Sequence, residues 1–473
     1  MFIPHTVFSP LMSILVRNAR YAITMDSSRR IISNASIAIE GSSVAAVGKT
    51  EDVLKQYPSA EHVIDASHCV VTPGLIDCHL HTAQYLGRGI ADNVSLPTWI
   101  HDRVYPYEAE LRPEECRIAA TACLIEAVKT GTTFIADPGS YHMNEIVEAV
   151  GKVGIRAVLA RSLVDINTPG RPIPKAMSES TEKAVREGEE FVRRHNKTQD
   201  GRIRAWFCIR TERTTSNELA SAIKEKADRY GTGIESHVAN AQDSVNRHKE
   251  IFRKTPLQRY HDIGILGPNL LIIHANWLTD QEVDLVKKYD VKVAHCPTSN
   301  LTTGSGTLVA GKFEKMEEMG ITVALGADSA AASNFLDMIR VGYTTIAHRD
   351  VRTDPTLYPP EHIMEMLTLN GARALLSEKE TGSIEVGKKA DIVVFDTKKP
   401  GWTPLLNPVS NLIQSASGQS ARDVIIDGKL VVRDGRVQNV DEEEIRTRAE
   451  QVAEEVTQRA GVRGHGLSTW PIV

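Results

Sequence analysis

The chain has 473 residues, 41% of them hydrophobic and 24% charged, a composition typical of globular proteins and long enough for one or two domains. Its formal net charge of −5 is small for this length and excludes a strongly basic surface for nucleic acid or acidic lipids. No apolar stretch is long enough to span a membrane, and Met1–Met12 lacks the basic and apolar regions of a signal peptide. The six cysteines contain no Cys-x-x-Cys pair and are expected to be free thiols of a cytoplasmic protein.

Both ends of the chain are rich in predicted β-structure. Short apolar runs alternate with turn residues in five places: Ile14–Val16, Ala35–Ile39, Val44–Val47, Ala390–Asp396 and Val424–Val432. An Asp427-Gly428 dipeptide at the centre of the last run is typical of a hairpin turn. These patterns predict one small composite β-sandwich domain, built from residues 13–70 and 380–440. The final segment, 441–473, is predicted to form a charged helix and then a tail.

Helical and strand patterns alternate between residues 71 and 379. The candidate strands are Val70–Ile76, Thr132–Ala136, Arg156–Ala160, Ile203–Ile209, Gly233–His237, Leu270–His274, Val291–His295 and Thr322–Leu325. Amphipathic helical patterns such as Glu114–Lys129 and Asn217–Arg229 separate them. This alternation predicts an α/β fold with a (β/α)₈ TIM barrel over residues 71–379. The alternative is an open doubly wound sheet, although no Gly-x-Gly-x-x-Gly follows a strand.

His79 and His81 follow the first strand of this barrel. Side chains on a strand repeat every two residues on one face, so the two imidazoles are expected to point the same way at the C-terminal end of the strand. Neighbouring imidazole nitrogens on a rigid backbone suit a divalent metal ion. For an isolated His-x-His pair, two ordinary polar residues at a strand end are the favoured interpretation, and the other strand ends reverse that preference here.

Further polar residues follow the later predicted strands: His237, His274, His295 and Asp328. Each alone is compatible with a structural role, since a buried histidine can be satisfied by the core and Asp328 can cap the next helix. In a parallel barrel, however, the C-terminal strand ends meet at one face, where catalytic groups lie. The set therefore predicts one shared metal site.

The sequence resembles the amidohydrolase superfamily over nearly the whole chain, in the branch that contains triazine hydrolases and cytosine and adenosine deaminases. The motifs that carry the resemblance are Pro73–His81, Gly131–Thr133, His295–Asn300, Gly326–Asn334, Gly371–Leu375 and Gly382–Asp391. The resemblance implies a (β/α)₈ barrel flanked by a composite β domain. Relatives are commonly oligomeric, so a homo-oligomer is expected.

The resemblance also implies roles for individual residues. The implied metal ligands are His79, His81, His237 and Asp328. Asp328 would also accept the proton of the metal-bound water, while His274 would hydrogen-bond that water and polarise the bond under attack. Lys129 and Lys292 fall within a helix and in mid-strand, so no bridging carboxylated lysine is expected and the site holds one divalent ion. Zn²⁺ is the expected metal, with Fe²⁺ and Co²⁺ as alternatives.

The segment after the third ligand departs from the family pattern. Most aminohydrolases of this branch carry His-x-x-Glu, whereas this chain has Asn240 three residues after His237. An amide has no titrating proton, so Asn240 cannot protonate a ring nitrogen and is expected to orient the substrate by hydrogen bonding. Glu235 lies two residues before His237 on the same face of the strand. It either replaces the missing acid or supports an imidazole structurally.

His295 and Trp99 are further candidates for substrate contact, with core packing as the alternative for each. We predict a metal-dependent hydrolase that cleaves a non-peptide C–N bond of a small amide, urea or carbamate by attack of metal-bound hydroxide, similar to phenylurea or thiocarbamate hydrolases. One alternative is a deaminase or dechlorinase of an N-heterocycle such as an aminotriazine, purine or pterin. Another is a barrel that binds a ligand without turnover.

Overall fold

The computed structural model describes residues 14–167, 173–463 and Trp470. Two predictions concern residues outside the described ranges: that Met1–Met12 is not a signal peptide, and part of the predicted tail, residues 464–469 and 471–473. Within the described part, no helix is both long enough and apolar enough to cross a lipid bilayer. The six cysteines are buried and form no disulfide, as predicted.

Five strands form the N-terminal part of a mixed sheet: β1 (Ile14–Ile23), β2 (Ile31–Glu40), β3 (Ser43–Lys49), β4 (His62–Asp65) and β5 (Cys69–Pro73). Strands β1, β2 and β3 are antiparallel neighbours, whereas β4 and β5 both pair parallel with β1. The alternation of apolar and polar residues along these strands gives the sheet one deeply buried face. The hydrophobic cluster on this face includes Ile14, Val16, Ile37, Ile39 and Val71.

Parallel strands follow, each hydrogen-bonded to the next in chain order: β6 (Leu75–Asp77), β7 (Thr132–Asp137), β8 (Arg156–Leu163), β9 (Ile203–Thr211), β10 (Ile234–Val238), β11 (Leu270–His274), β12 (Lys292–His295) and β13 (Val323–Leu325). The first and last of them meet, because Cys78 N–H donates to the carbonyl of Leu325 at 2.9 Å and Leu80 pairs with Asp328 in a parallel bridge. The predicted (β/α)₈ barrel is confirmed. Strand β11 is apolar up to its final histidine because both faces of a barrel strand are buried.

The predicted first strand, Val70–Ile76, is in fact two strands. Strand β5 belongs to the mixed sheet and β6 to the barrel, and the chain changes sheets at Gly74. A Cβ atom at Gly74 would lie 1.9 Å from Oγ1 of Thr133, so only glycine allows the backbone to pass this close to β7. Periodicity alone missed the boundary because both halves of the run are equally apolar and buried.

The C-terminal part of the mixed sheet contains β14 (Ile392–Asp396), β15 (Ala421–Ile426), β16 (Lys429–Arg433) and β17 (Arg436–Val437). Strand β14 pairs antiparallel with β5, so the sheet runs β17-β16-β15-β14-β5-β1-β2-β3, with β4 beside β1. The composite β domain from both termini is confirmed. Its strands form one continuous mixed sheet, where the sequence predicted a sandwich. The domain boundaries stay predictions: residues 13–70 with 380–440 for the composite β domain, 71–379 for the barrel and 441–473 for the C-terminal segment.

Helices surround the barrel and cover the sheet. They are α1 (Thr50–Gln56), α2 (Leu96–Thr98), α3 (Tyr105–Glu110), α4 (Pro113–Lys129), α5 (Met143–Val153), α6 (Thr181–His195), α7 (Asn217–Tyr230), α8 (Gln242–Phe252), α9 (Pro256–Asp262), α10 (Asp280–Lys288), α11 (Pro297–Thr302), α12 (Thr307–Ala310), α13 (Phe313–Glu318), α14 (Ala330–Ser333), α15 (Met338–Thr344), α16 (Ala347–Arg352), α17 (Pro360–Leu367), α18 (Leu369–Ala374), α19 (Pro408–Ser410) and α20 (Glu442–Arg459). Local chemistry fixes several ends: Ser216 caps α7, which stops at Gly231 with φ +62°.

A buried ion pair joins the barrel to the mixed sheet. Arg156 opens β8, and its guanidinium donates to both carboxylate oxygens of Asp391, at 2.8 and 3.1 Å, and to Asp427 at 3.2 Å. The Arg156 side chain is 1% exposed, and each aspartate side chain is 4% exposed. Asp391 precedes β14 and Asp427 forms the turn after β15, so one side chain ties the barrel to the C-terminal strands.

Candidate metal centre and active site

Five side chains converge at the C-terminal face of the barrel, at the ends of four strands: His79, His81, His237, His274 and Asp328. One nitrogen from each of His79, His81 and His237 lies within 4.8 Å of the others, and the ligand atoms of His79, His274 and Asp328 lie equally close together. The shared metal site predicted from the strand ends is thus assembled by the fold. His79 belongs to both triplets and stands at the centre.

The distances within this cluster are short for groups that make no ordinary hydrogen bonds to each other. His81 Nε2 lies 3.3 Å from His237 Nε2, and His79 Nε2 lies 3.4 Å from Asp328 Oδ1. His274 Nε2 is 4.0 Å from the other oxygen of Asp328. Several lone pairs therefore face one small volume, which is the arrangement that a single cation satisfies.

Burial and hydrogen bonding hold the imidazoles in the form that binds a metal. His237 Nδ1–H donates to the carbonyl of Arg210 at 2.7 Å, which leaves Nε2 free. Burial lowers the pKa of His81 and of His237 well below the ordinary value, and that of His274 to about 4. Burial raises the pKa of Asp328, but the neighbouring His79 outweighs burial and holds it well below its usual range. Neutral imidazoles and an ionised carboxylate are the donor set of a divalent metal.

The ring nitrogens of His79 indicate whether a metal ion fits this site. Its side chain is fully buried, yet neither ring nitrogen has a hydrogen-bond partner in the protein. Leaving such atoms without a partner is costly, and a metal ligand bond removes that cost. Neither of the two lysines considered as a bridging ligand is directed at the cluster, because Lys129 pairs with Glu442 and Lys292 with Asp290. The residues present fit one divalent ion.

The backbone is strained where it presents these groups. His274, its neighbour Ala275, Ala239 and Asp328 all have positive φ, between +51° and +71°, although none is a glycine. Each such residue costs about 1–3 kcal/mol and persists only where the surrounding structure holds it. The clustering of these residues around the imidazoles supports a functional origin for the strain.

A cavity of about 830 Å³ opens onto the cluster. One wall is apolar and comes from the loop and helices after β6, together with Ala332 of α14; its other members are Leu96, Pro97, Trp99 and Ile100. A second wall is polar and comes from the end of β9 and from the segments after β9, β10 and β12; its members include Arg210, Thr211, Glu212, Arg213, Asn240, Asp243, Ser244 and Asn300. Trp99 is fixed by its indole N–H, which donates to the carbonyl of Ala331 at 3.0 Å.

The predicted substrate residues divide into two pairs. Trp99 and Asn240 line the cavity, whereas Glu235 and His295 are not among its lining residues. Glu235 is fully buried inside the barrel opposite Cys208 on β9, one step deeper than His237. His295 faces the helices, where its ring stacks on Phe313 with centroids 3.9 Å apart. The roles predicted for these four residues stay predictions, and the geometry favours the first pair.

A chain of side-chain amides supports His274. His274 Nδ1–H donates to Asn300 Oδ1 at 3.1 Å, Asn300 Nδ2 donates to Asn276 Oδ1 at 3.1 Å, and Asn276 Nδ2 donates to the carbonyl of Asn240 at 2.8 Å. The network fixes the tautomer of the imidazole and ties it to the segment after β10. Asn300 belongs to the motif His295–Asn300, but its contact with His274 was not predicted from the sequence.

We expect Asn300→Ala to lower kcat/KM by roughly 10- to 100-fold, because the His274 ring loses the acceptor that orients it. Steady-state kinetics with metal analysis would check this, and the bound metal should remain near one ion per chain. Asn439→Ala, at an exposed asparagine far from the cavity, is the matched control. Equal kcat/KM in the two variants would contradict the positioning role.

Sequence reasoning missed a carboxylate on the polar wall. Glu212 follows β9 and is 2% exposed. Burial raises the pKa of this carboxyl group, and Arg213 beside it opposes the shift. A second buried carboxylate, Glu108, accepts from Arg210 Nη2 and from Gln84 Nε2, both at 2.8 Å. The only available signal was the dense run of charged residues from Arg210 to Arg213.

The comparisons with known proteins agree with this geometry. A model of the amidohydrolase family matches residues 70–431. A 5'-deoxyadenosine deaminase of Methanosarcina acetivorans is 35% identical over 448 residues, covering 94% of this chain and 99% of that protein. An adenosine deaminase from Xanthomonas campestris, solved with bound zinc, has a TM-score of 0.88 at 24% identity and covers 95% and 100% of the two chains. An atrazine chlorohydrolase from Arthrobacter aurescens TC1, complexed with zinc, has a TM-score of 0.85 at 22% identity and covers 93% and 100%.

The barrel, its composite sheet and the buried His/Asp cluster define a metal-dependent hydrolase built on a (β/α)₈ scaffold. The chain belongs to the amidohydrolase family, as the motifs predicted. It is an enzyme that hydrolyses C–N bonds other than peptide bonds in small molecules, and its cofactor is a divalent metal ion. The alternative of a barrel without turnover is thereby set aside.

Proposed function

We propose that this protein is a zinc-dependent deaminase of a purine nucleoside, which replaces the 6-amino group by a carbonyl oxygen and releases ammonia. The observation that carries the proposal is 35% identity to a 5'-deoxyadenosine deaminase over 94% of the chain, with no large segment of that protein left uncovered. Among the functions considered from the sequence, this favours the N-heterocycle over the linear amide, urea or carbamate.

The two unlike walls of the cavity suit such a substrate. A purine ring is flat and apolar on its faces, and the wall of Leu96, Pro97 and Trp99 offers it a matching surface. A ribose carries hydroxyl groups, and the polar wall offers acceptors and donors, among them Glu212 and Arg213.

The proposed mechanism assigns the cluster as follows. His79, His81, His237 and Asp328 hold the ion, which when bound lowers the pKa of water and polarises the attacked bond. Asp328 accepts a proton from the attacking water and passes it to the leaving amine. His274 donates from Nδ1 to Asn300, so its Nε2 accepts a hydrogen bond from the same water and fixes its direction. Trp99 holds the ring, and Asn240 orients it from the polar wall.

A second candidate function is hydrolysis of a linear amide, urea or carbamate. Asn240 favours it, because a substrate that already has a carbonyl group needs no proton at a ring nitrogen, and an amide side chain suffices to orient it.

Mass spectrometry of the zinc-loaded protein on a mixed panel would separate the two. The panel contains 5'-deoxyadenosine, adenosine and guanosine, together with anilides, phenylureas and thiocarbamates. We expect ammonia and a 6-oxopurine from 5'-deoxyadenosine or adenosine, and no ammonia from guanosine, which has no 6-amino group. Release of an aryl or alkyl amine from a linear substrate, with every nucleoside unchanged, would reject the deaminase and support the second candidate. His79→Ala, which removes the central ligand, controls for contaminating activity.

The cytoplasmic location and the homo-oligomeric state stay predictions from the sequence. Zinc is the metal that we propose, and metal analysis of the purified protein would test it against iron and cobalt.

A further inference from the structure

Glu212 places a carboxyl group near Asn240 although the two residues follow different strands. Its main-chain N–H donates to the carbonyl of His237 at 3.3 Å, which ties the end of β9 to the end of β10. The main-chain N–H of Ala239 faces the Glu212 carboxyl group. The side chain therefore reaches the main chain of the residue before Asn240, and both Glu212 and Asn240 line the same cavity wall.

The loop that carries Glu212 is held rigidly from behind. Arg259 on α9 donates from Nη1 to the carbonyl of Glu212 and from Nη2 to the carbonyl of Thr215, both at 2.7 Å. Its Nε donates to Asn217 Oδ1 at 2.8 Å. A buried arginine that binds three acceptors of one short loop fixes the backbone and with it the position of the carboxyl group, as a preorganised binding residue requires.

One oxygen of this carboxyl group has no hydrogen-bond partner, although main-chain N–H groups face the carboxyl group. Oxygen Oε1 of Glu212 makes no hydrogen bond within the protein, and the nearest cation, Arg213, approaches it only to 3.8 Å through Nε. The oxygen Oδ1 of Asn240 is also buried and without a partner. Two unpartnered acceptors on one wall of the cavity indicate that the ligand supplies the donors.

The chemistry of deamination creates such a donor. Water adds across the ring C=N bond: its oxygen bonds to the carbon, and one of its protons ends on the ring nitrogen. Asp328 carries the other water proton to the amino group on the same carbon, which leaves as ammonia, and a carbonyl group remains. The N–H that forms on the ring is new in the adduct, so a carboxylate that accepts its hydrogen bond stabilises the adduct more than the substrate.

We propose that Glu212 accepts this hydrogen bond from the ring nitrogen of the substrate, at the place where Asn240 offers only an amide. The inference rests on the proposed function as a purine deaminase. It makes Glu212 a catalytic residue contributed by the strand next to the third metal ligand, while Asn240 supports the same edge of the ring.

The test compares variants of the zinc-loaded full-length protein with 5'-deoxyadenosine and adenosine as probes. Glu212→Gln is expected to lower kcat/KM by roughly 10- to 100-fold, mostly through kcat, since it weakens a charge-assisted hydrogen bond formed late in the reaction. Adding Asn240→Glu to that variant restores a carboxylate at the same edge of the ring and is expected to recover most of the loss. Glu218→Gln, at an exposed glutamate of the same segment, is the matched control.

Three results would overturn the proposal. The first is an unchanged kcat/KM in Glu212→Gln. The second is a combination of two results: Arg213→Gln lowers kcat/KM as much as Glu212→Gln does, and adding Asn240→Glu to Glu212→Gln recovers no activity. That combination would mean that Glu212 only holds Arg213 in place. The third is a failure of the unaltered protein to release ammonia from either nucleoside, which rejects the proposed function as well. Circular dichroism and zinc content confirm that each variant is folded and loaded; if Glu212→Gln does not fold, Glu212→Asp, which keeps the charge but shortens the reach, takes its place with the same expected loss.

Discussion

Replacing Asp328 with asparagine is expected to lower kcat by roughly 10²- to 10⁴-fold. The substitution keeps the shape of the side chain but removes the only carboxylate of the His/Asp cluster, and with it the group that we propose accepts the proton of the attacking water. Asp328 Oδ1 lies 3.4 Å from His79 Nε2 and 3.8 Å from His81 Nε2, so no other carboxylate in this cluster can take over the role.

Kinetics and metal analysis on the same preparation test this prediction. Loss of activity with the metal retained would support a proton acceptor, whereas loss of both would assign Asp328 mainly to holding the ion. Asp262→Asn removes an exposed carboxylate on α9 and should leave kcat unchanged. An Asp328→Asn variant with full activity and bound metal would contradict the assignment.

Replacing Arg156 with leucine is expected to destabilise the protein by about 3–5 kcal/mol. The substitution leaves Asp391 buried without its cation and leaves Asp427 with Lys389 alone, at 3.1 Å, and both aspartates lie where the barrel meets the mixed sheet. The loss comes mainly from the buried carboxylate of Asp391, because removing one partner of a buried ion pair leaves an uncompensated charge.

Urea denaturation followed by circular dichroism would measure the change as a shift in midpoint at constant slope. Arg446→Leu breaks two ion pairs on the surface of α20 and is expected to leave the midpoint unchanged, since exposed pairs contribute little. A triple variant with leucine at 156, 391 and 427 should recover part of the stability lost by Arg156→Leu. If the urea midpoint of Arg156→Leu equals that of the unaltered protein, the buried ion pairs of Arg156 contribute nothing to stability.

Much of the barrel and the metal site was predictable because both follow from simple periodicities. The spacing of two between His79 and His81 puts both on one face of a strand end, and the parallel topology brings His237, His274 and Asp328 to the same face. Both the shared face of His79 and His81 and the meeting of the later strand ends can be inferred without knowing how any loop is folded.

The substrate residues were harder to predict because the position of a polar residue near a strand end does not fix what it faces. His295 follows Ala294, which packs inside the barrel, so alternation turns the histidine outward against Phe313. Glu235 shares the face of His237 but lies one step deeper, below the cavity floor. Glu212 was overlooked because its position depends on a loop conformation set by Arg259, which is 47 residues away in the sequence.

The position of β5 in the mixed sheet has a consequence for how the chain folds during synthesis. Its outer edge pairs with β14, and the whole barrel lies between the two in the sequence. At a ribosomal rate of roughly 5–20 residues per second, this apolar strand edge stays unpaired for tens of seconds. An open edge of this kind invites pairing with other nascent chains. Formation of the barrel before β14 is synthesised would shorten the time for which this edge is open to such pairing.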